Sequence, residues 1–499
     1  MTEVRSLLVD GTQRYGLIGA AVAVVRPGAS PEFECVGSAD GRGRPVAPET
    51  VFRIASISKT LTAIAVMQLR DEGRLDLDEP VNAYLKAFTV EPPADGPAVT
   101  IRHLLTHTSG IGELPRVGAV VSRRQWGVGP PGSEAAVLSS IYRGVLRTEV
   151  PAGSKWAYAN HAFAVLSQVV EDLTGEPFAA AMRERLFVPL GMASTGYVRN
   201  DRIQTELATG SHWMLGRLRM VKDYDLTIHG PGSVMSSCAD MARYAEWLLS
   251  AGATAPAVLG ADTLREMMSP QFSVHPGFPG MGLAFWLADL GGHRTVGHDG
   301  NVPGFASALL VAPDDGVGVV VLTNTAAFIG AHVLATELLR SLLPVASPAD
   351  AGEAEPVPER PHLWSDLVGH YAPAPGLLTN IRTWQMAGGE VEVIVRDRQL
   401  VLRSLSPVPQ LRRGVVLRAA DRDDPSLFVA EARGLTVPVA FIVNRSGGPA
   451  PSLVLGPPSN TVFHRRSPLR SRRVRGRVAG AVAGALVARR LTKRLVSSD

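Results

Sequence analysis

Apolar runs that favour β-strands stand at opposite ends of the first 343 residues, and this arrangement strongly constrains the fold. Ile18–Arg26 is a small, β-branched run typical of a buried strand, and Glu32–Ser38 follows it across Pro and Gly turn residues. Three later runs, Thr295–Gly300, Ala306–Ala312 and Gly316–Thr323, predict an antiparallel meander. Between the early runs and the later ones, apolar residues recur at helical spacing. The pattern therefore predicts an α/β domain whose sheet joins N- and C-terminal strands.

The sequence changes character after residue 343. Residues 344–361 are rich in Pro, Ala and Glu, as linkers are. Residues 362–463 carry short β-type runs separated by Gly or Asp turns, which predicts a small antiparallel, barrel-like domain. Residues 464–499 form a basic tail. We therefore predict an α/β domain over residues 1–343, the linker, an all-β domain and the tail.

Charge is unevenly distributed along the chain. Ten Arg and one Lys against Asp499 give the tail +10, whereas 39 basic against 45 acidic residues give the remainder −6. A mildly acidic body gives no reason to expect nucleic acid as a partner. For the tail itself, disorder, contact with an anionic membrane surface and a minor nucleic-acid role remain alternatives.

The cysteines and the N-terminus bear on the compartment. Two cysteines, Cys35 and Cys238, exclude a disulfide framework and suit a reducing environment. Residues 1–10 contain no basic region followed by a long apolar core, so we expect no secretory signal. We therefore predict a cytoplasmic protein, membrane-associated at most through its tail; the sequence leaves the oligomeric state open.

The chemistry centres on Ser56 and Lys59. They are three residues apart at the start of a predicted helix, so both side chains share one face. A lysine that loses its charge in a dry site can accept the proton of a serine hydroxyl and make it nucleophilic. Ser-x-x-Lys is common by chance, and an ordinary helix start with a solvated lysine is the alternative.

Two later stretches supply the other parts of such a site. Tyr158 and Asn160 follow a Pro-Gly loop; a tyrosine held near its phenolate form can carry a proton, and the Asn amide can bond lysine and substrate. His298 and Gly300 end the first strand of the meander, where Gly300 would let a substrate lie along the strand edge. The backbone N–H of Asn301 could join that of Ser56 in an oxyanion hole.

In this order Ser-x-x-Lys, Tyr-x-Asn and His-x-Gly resemble the motifs of the serine β-lactamase and penicillin-binding-protein-like hydrolases, in the class C-like branch with esterases, D-aminopeptidases and D,D-peptidases. Leu75–Val81 and Ile101–Ile111 add to the resemblance. It implies an antiparallel sheet flanked by helices, with an all-helical lobe. It also implies acylation of Ser56 without a metal or another cofactor, with Lys59 and Tyr158 sharing the proton transfers.

His298 departs from the pattern of the better-known members, which have Lys in this third motif. A permanent cation there helps to bind a substrate carboxylate, whereas a histidine is largely neutral near pH 7. The sequence therefore predicts an ester, an amide or a short peptide as substrate rather than a β-lactam. Asp299 should face away from the cleft, because side chains alternate along a strand.

Several alternatives remain open at this point. An acyltransferase of the same fold would pass the acyl group to a small acceptor, and a non-catalytic receptor would keep it. His103 and His107 are four apart, as zinc ligands can be, but no third ligand is evident and we interpret both as structural. The chirality of the substrate and the role of the β-domain are not determined by the sequence.

Overall fold

The computed structural model describes residues 2–115, 127–344, 357–406, 409–432, 434–442, 451–457 and 459–467. The chain divides into two units. The first combines Met1–Ala354 with Gly376–Thr379, and the second combines Glu355–Pro375 with Asn380–Asp499. Most of the predicted linker and most of the basic tail lie outside the described residues, so those two predictions stay untested.

The first unit contains a large sheet, several short strand pairs and helices that surround them. Its strands are β1 (Gly19–Val25), β2 (Glu32–Gly37), β3 (Val51–Arg53), β4 (Thr89–Glu91), β5 (Val128–Gly129), β6 (Val145–Arg147), β7 (Ser211–Met214), β8 (Arg217–Met220), β9 (Asp225–Leu226), β10 (Met235–Ser237), β11 (Trp286–Asp289), β12 (Arg294–Val302), β13 (Phe305–Ala312) and β14 (Val317–Thr323). Its α-helices are α1 (Thr2–Tyr15), α2 (Ser58–Asp71), α3 (Ile101–Leu105), α4 (Leu138–Tyr142), α5 (Asn160–Thr174), α6 (Phe178–Met182), α7 (Asp201–Glu206), α8 (Cys238–Leu249), α9 (Ala261–Met267) and α10 (Phe328–Leu342). Short 3-10 turns cover Ala55–Ile57 and Val81–Ala83, and a π-helix covers Arg183–Phe187.

The large sheet joins both ends of this unit, as the sequence predicts. Its strand order is β11-β12-β13-β14-β1-β2, and each neighbouring pair is antiparallel. Ala20 of β1 pairs with Thr323 of β14, and the register continues to Val25 opposite Gly318. The predicted meander is β12, β13 and β14. Residues more than 290 positions apart in sequence thus form the centre of one sheet.

Alternation along β1 explains why this sheet is covered on both faces. Every residue of β1 is buried. Ala20, Val22 and Val24 lie in an apolar cluster with side chains of α1 and α10. Their neighbours Ala21 and Ala23 lie in the main core with side chains of α2, α5 and α8. The result is a helix–sheet–helix arrangement with the larger core on the α8 side.

Helix α2 is buried on nearly all sides, from Ser58 to Leu69. A helix that is covered all round belongs to the interior of a domain. It is preceded by the 3-10 turn, so Ser56 lies in that turn and not in the α-helix that the sequence pattern predicts to begin there. None of the helices in the described residues is both long and apolar enough to cross a membrane.

The second unit contains a closed antiparallel barrel, which confirms the predicted all-β domain. Its strands, in spatial order around the barrel, are β15 (Gly369–Pro373), β16 (Val391–Arg396), β17 (Gln399–Ser404), β18 (Val415–Ala419), β19 (Leu427–Ala432), β20 (Leu435–Ile442), β21 (Ser452–Leu455) and β22 (Thr461–Arg466). Pairing of β15 with β22 closes it. The other elements of this unit are a 3-10 turn (Pro361–Leu363), α11 (Trp364–Leu367), α12 (Ile381–Ala387) and α13 (Pro409–Arg413). Tyr371, Phe441 and Phe463 are among the buried side chains of its core.

Candidate active site

A short, strained turn presents Ser56. The chain leaves β3, and Ile54 is held by a hydrogen bond from its N–H to the carbonyl of Val234 (3.1 Å). Ala55 then adopts a φ of 51°, a left-handed conformation that is costly for a residue with a Cβ. Ser58 stabilises the turn, because its Oγ donates to the Ala55 carbonyl at 2.6 Å. Ser56 is therefore set by the backbone at the junction of β3 and α2.

Lys59 follows this serine by three residues and is completely buried. Its Nζ donates to Ser56 Oγ at 3.0 Å, to Asn160 Oδ1 at 2.8 Å and to the Pro231 carbonyl at 2.6 Å. An ammonium can donate to all three acceptors, and a lysine that has given up one proton keeps two of these hydrogen bonds and directs its lone pair toward the third acceptor. The same Nζ lies 4.8 Å from the centre of the Tyr158 ring. The predicted pairing of Ser56 with Lys59 is thus present in the structure.

Tyr158 is positioned by a residue that the sequence analysis assigned to structure alone. The His107 ring stacks on the Tyr158 ring, with centroids 4.3 Å apart and planes inclined by 30°. His107 Nδ1 accepts a hydrogen bond from the Ala159 N–H (3.1 Å), and its carbonyl accepts one from the Ala157 N–H (2.8 Å). His107 therefore holds the backbone on both sides of Tyr158 as well as the ring itself.

The other histidine of that pair serves a different purpose. His103 takes part in a capping box with Thr100 at the start of α3. Burial lowers the pKa of His103, and the nearby charge of Arg102 adds to that effect, whereas the carboxylate of Asp78 opposes it. Because His103 and His107 each bond to a different backbone segment, the interpretation of both as structural agrees with the geometry. Contact with Tyr158 gives His107 an additional part in the site.

Glu113 is a second site residue that the sequence did not reveal. Its Oε1 accepts a hydrogen bond from Asn160 Nδ2 at 3.0 Å, and the residue is largely buried. The Asn160 amide therefore points its oxygen at Lys59 and its nitrogen at Glu113. The backbone N–H of Glu113 donates to the carbonyl of Leu378 (3.2 Å), which lies in the Gly376–Thr379 part of the same unit.

Strand β12 supplies the opposite side of the site. His298 is buried, and its Nδ1 lies 2.6 Å from the Asp299 carbonyl. A carbonyl oxygen only accepts, so Nδ1 carries a hydrogen, and in the neutral form of the ring Nε2 is then the acceptor. Asp299 points to the other face of the sheet, where its Oδ2 lies 2.9 Å from His332 Nδ1 of α10. The prediction that Asp299 faces away from the cleft is confirmed.

Gly300 meets a packing requirement that the sequence analysis did not anticipate. A Cβ at this position would lie 2.2 Å from the Ile54 carbonyl and 2.9 Å from the Ala55 Cβ. The glycine therefore allows β12 to approach the turn that carries Ser56, and its predicted contact with substrate stays a prediction. Asn301 follows it and is exposed. Its predicted role in an oxyanion hole with the Ser56 N–H stays a prediction.

Two half-buried tryptophans stand beside these groups. The Trp286 ring lies parallel to that of Tyr158, at 6.4 Å between centroids, and is 5.8 Å from the His298 ring. Trp156 is 5.6 Å from Trp286. Within the described residues, β11 pairs with β12 from Arg294 to Gly297, so the edge of β12 beyond Gly297 lies next to this aromatic group.

Sequence comparison now gives the family. Residues 4–343 match the family model described as Beta-lactamase, which covers more than half of the chain. This chain belongs to the Beta-lactamase family. That result confirms the resemblance drawn from the motifs at Ser56, Tyr158 and His298, and the antiparallel sheet with its flanking helices agrees with it.

Named relatives within the Beta-lactamase family cover several activities. Penicillin-binding protein 4 of Amycolatopsis lactamdurans is 30% identical over 371 residues, which is 71% of this chain and 92% of that protein. Esterase EstB of Burkholderia gladioli is 39% identical over 188 residues, which is 36% of this chain and about half (47%) of the esterase. The D-aminopeptidase of Brucella anthropi is 26% identical over 336 residues, 67% of this chain and 61% of that enzyme. These relatives support a serine hydrolase of the β-lactamase superfamily.

Solved structures agree with the fold. The octameric penicillin-binding protein homologue of Pyrococcus abyssi has a TM-score of 0.60 at 21% identity, over 93% of this chain and 99% of that one. A D-amino acid amidase from Ochrobactrum anthropi SV3 has a TM-score of 0.55 at 22% identity, over 68% of this chain and 97% of that one. At these identities the likeness concerns the fold alone.

Proposed function

We propose that this member of the Beta-lactamase family forms an acyl-enzyme on Ser56 and cleaves an ester or an amide, and that it is not a dedicated β-lactamase. The observation that carries the proposal is the 3.0 Å hydrogen bond between Lys59 Nζ and Ser56 Oγ, inside a network that also holds Asn160. A buried amine in contact with a serine hydroxyl is the arrangement that nucleophilic catalysis by serine needs.

The first half of the proposed reaction opens the scissile bond. Ser56 Oγ attacks the carbonyl carbon, and its proton passes to the Lys59–Tyr158 pair. The carbonyl oxygen takes the negative charge, which the N–H groups of Ser56 and Asn301 would stabilise. When this intermediate collapses, the carbon–oxygen or carbon–nitrogen bond breaks and the leaving group receives the proton from Tyr158. The second half repeats these steps with water as the nucleophile, which releases the acid and restores Ser56.

His298 supports the choice of substrate class. Histidine is largely neutral near pH 7, and in that form a ring whose Nδ1–H is donated to the Asp299 carbonyl has its acceptor at Nε2. A lone pair accepts from the N–H, ammonium or hydroxyl of a substrate, whereas a substrate carboxylate needs a donor or a cation. This chemistry favours esters, amides and N-terminal amino groups over the carboxylate that β-lactams carry.

The aromatic side of the site supports an apolar or aromatic group next to the scissile bond. Trp156 and Trp286 are both half-buried, and both lie close to Tyr158. Aromatic rings bury large apolar area and stack with other rings. A p-nitrophenyl ester or an anilide fits such a surface and is therefore a suitable first substrate.

A substrate panel tests the proposal. The purified protein is labelled with a fluorophosphonate, and the label is located by peptide mass spectrometry. It is then assayed with p-nitrophenyl esters, D-amino-acid p-nitroanilides and nitrocefin. We expect the label on Ser56 and a kcat/KM for the best ester or anilide at least about tenfold above that for nitrocefin.

The control for this panel is Ser341→Ala. Ser341 Oγ donates to the Leu338 carbonyl at the end of α10, on the far face of the sheet, so its loss should leave labelling and turnover unchanged. A label on another residue, or a preference for nitrocefin, would contradict the proposal. Faster product formation on adding an acceptor alcohol, with a transfer product, would instead identify an acyltransferase.

A further inference from the structure

The β7–β8 hairpin is a surface feature to which the proposed catalytic steps assign no role. Residues 211–220 form a two-stranded ribbon in which Trp213 pairs with Leu218 and Met214 with Arg217. All four residues of β8 are exposed, although their side chains alternate between the two faces of the ribbon. A strand exposed on both faces contributes little to the protein core, so its apolar side chains are available to another surface.

The two faces of this ribbon differ in chemistry. Residues opposite each other in an antiparallel pair share a face. One face therefore carries Trp213, Leu218 and Met220, and the other carries Met214 and a cationic group made by Arg217 and Arg219. The ribbon is amphipathic in the way of segments that lie at membrane interfaces, with Trp and Leu on one side and Arg on the other.

The tip of the ribbon is apolar, and its first residue is not one that this type of turn usually has. Leu215 and Gly216 both have positive φ, 51° and 74°, as a type I′ turn requires. Asn or Asp usually precedes the Gly in such turns, because a leucine is strained at positive φ. Leu215 is nevertheless there, and 97% of it is exposed. Its exposed fraction is larger than that of the other exposed large apolar side chains in the described residues.

The base of the ribbon is firmly held. The indole N–H of Trp213 donates to the Gly16 carbonyl (2.8 Å), and Ser211 N–H donates to the carbonyls of Gly304 and Asn324 (3.2 and 2.8 Å). Its tip therefore projects from an anchored base. A rigid apolar tip needs no ordering on contact, which lowers the entropic cost of binding.

Further cations surround the ribbon. Lys222 follows β8, and Arg42 lies in the loop at Gly41 that Met220 approaches; both are exposed. The neighbouring carboxylates do not cancel this charge. Asp223 pairs with Arg199, and the one negative charge of Asp40 is outnumbered by the cations Arg42, Arg217, Arg219 and Lys222. The patch therefore presents a positive charge around an apolar tip.

We propose that the 211–220 ribbon docks the protein on a phospholipid surface that carries anionic headgroups. Leu215 and Met214 enter the interface, Trp213 lies at headgroup level, and Arg217 and Arg219 pair with lipid phosphates.

Contact with another protein fits these observations less well. A second copy placed tip to tip would bring Arg217 and Arg219 close to the same cations of its partner, which is repulsive. A ribbon of ten residues is also well below the roughly 20–30 residues that a stable protein interface uses on each side. A lipid surface needs a few inserted side chains and several nearby cations, which is what the ribbon offers.

Vesicle flotation with the full chain tests this proposal. Binding is compared on vesicles of phosphatidylcholine alone and of phosphatidylcholine mixed with phosphatidylglycerol. The variant Leu215→Asn removes the apolar tip and places at positive φ a residue that type I′ turns favour, so it should fold normally. The variant Arg217→Gln/Arg219→Gln removes the cations. The control Val137→Asn changes an exposed valine at the N-cap of α4, where Asn is also favoured.

Because the basic tail is present in every protein compared, the differences between variants carry the result. We expect Leu215→Asn to lower the partition coefficient on anionic vesicles about tenfold, which is the scale of burying one leucine side chain. The double variant should weaken binding on anionic vesicles and leave the weak binding to phosphatidylcholine unchanged. Val137→Asn should bind as the wild type does.

Three outcomes would overturn the proposal. The first is that all four proteins bind equally, which would assign any binding to other parts of the chain. The second is that none of them binds anionic vesicles. The third is that Leu215→Asn alters the sedimentation coefficient of the protein and leaves vesicle binding intact, which would make the ribbon a contact between copies of this chain. Each readout is independent of catalysis, so failure here leaves the proposed function untouched.

Discussion

At the scale of single residues, the orientation of one amide decides how the site works. Asn160 lies between a cation and a carboxylate, with its oxygen toward Lys59 and its nitrogen toward Glu113. The two ends of an amide have nearly the same shape, so shape alone does not select between them. Glu113 makes the selection by charge, because a carboxylate accepts hydrogen bonds and cannot donate them. We therefore assign Glu113 the role of a positioning residue for Asn160 and, through it, for Lys59.

The variant Glu113→Gln tests that role. Glutamine has the same shape but can donate, so the Asn160 amide is free to turn its NH2 group toward Lys59. We expect kcat/KM for an ester to fall about tenfold to a hundredfold, with kcat affected more than KM, while the unfolding midpoint changes little. The matched control Glu134→Gln changes an exposed glutamate of the same unit and should leave both constants unchanged. Equal activity in both variants would refute the assignment.

At the scale of elements, the site depends on how closely β12 approaches the Ser56 turn. Gly300 allows that approach because it has no side chain. Ser307 of β13 stabilises it with a hydrogen bond from its Oγ to the Ile54 carbonyl at 2.8 Å. Asp299, the residue before Gly300, points to the other face of β12, where its carboxylate contacts His332 of α10. Strand β12 is therefore fixed on both faces, by the nucleophile turn and by a helix.

The variant Gly300→Ala tests the approach of β12 to Ser56. The added methyl group would lie 2.2 Å from the Ile54 carbonyl, so the turn or the strand must move. A displacement of about 1 Å at a catalytic group can cost about a hundredfold in rate, and we expect a loss of that order in ester turnover and in fluorophosphonate labelling. As a control, Gly260→Ala at the N-cap of α9 meets its nearest atoms at 3.9 Å and should be active. Full activity in Gly300→Ala would show that the contact is not needed.

The pair between Asp299 and His332 predicts a pH dependence of stability. The Asp299 carboxylate raises the pKa of His332, against the opposing effect of burial. Because the folded-state pKa lies above the unfolded value, the stabilisation is complete below about pH 6.5 and is lost as the pH rises through the folded-state pKa. We expect His332→Gln to lower the free energy of unfolding by about 1 kcal/mol in mildly acidic buffer and by progressively less at higher pH.

Urea unfolding of the wild type and of His332→Gln at about pH 6 and about pH 9 measures this difference. His362→Gln changes an exposed histidine of the second unit and serves as the control for the loss of an imidazole. A gap between His332→Gln and the wild type that is the same at both pH values would contradict the predicted linkage.

At the scale of the whole molecule, the sequence predicts what depends on local pattern. The apolar runs that become β1, β12, β13 and β14 are local features, and their position at both ends of the unit predicts the sheet that joins them. The order of the motifs at Ser56, Tyr158 and His298 likewise predicts the family and the residues that meet around Lys59. In the second unit the short β-type runs predicted within residues 362–463 become the strands of the barrel.

What the sequence did not reveal depends on contacts between distant residues. Glu113, His107 and Trp286 reach the site from three separate loops or strands, and nothing in the residues beside them signals the contact. The segment Gly376–Thr379 belongs to the first unit although the residues on both sides of it belong to the second. The carboxylate of Glu149 accepts hydrogen bonds from the N–H groups of Leu378 and Thr379 (3.0 and 2.7 Å), which helps to hold this segment there.

The central claim is that Ser56 carries the acyl group during turnover. The most direct test is rapid-quench mass spectrometry of the intact protein mixed with a p-nitrophenyl ester, followed by peptide mapping, for the wild type and for Ser56→Ala. We predict a transient mass increase equal to the acyl group on the peptide that contains Ser56. In Ser56→Ala the adduct should disappear and kcat should fall by several orders of magnitude, with an unchanged unfolding midpoint. An adduct on another residue, or undiminished turnover by folded Ser56→Ala, would contradict the account.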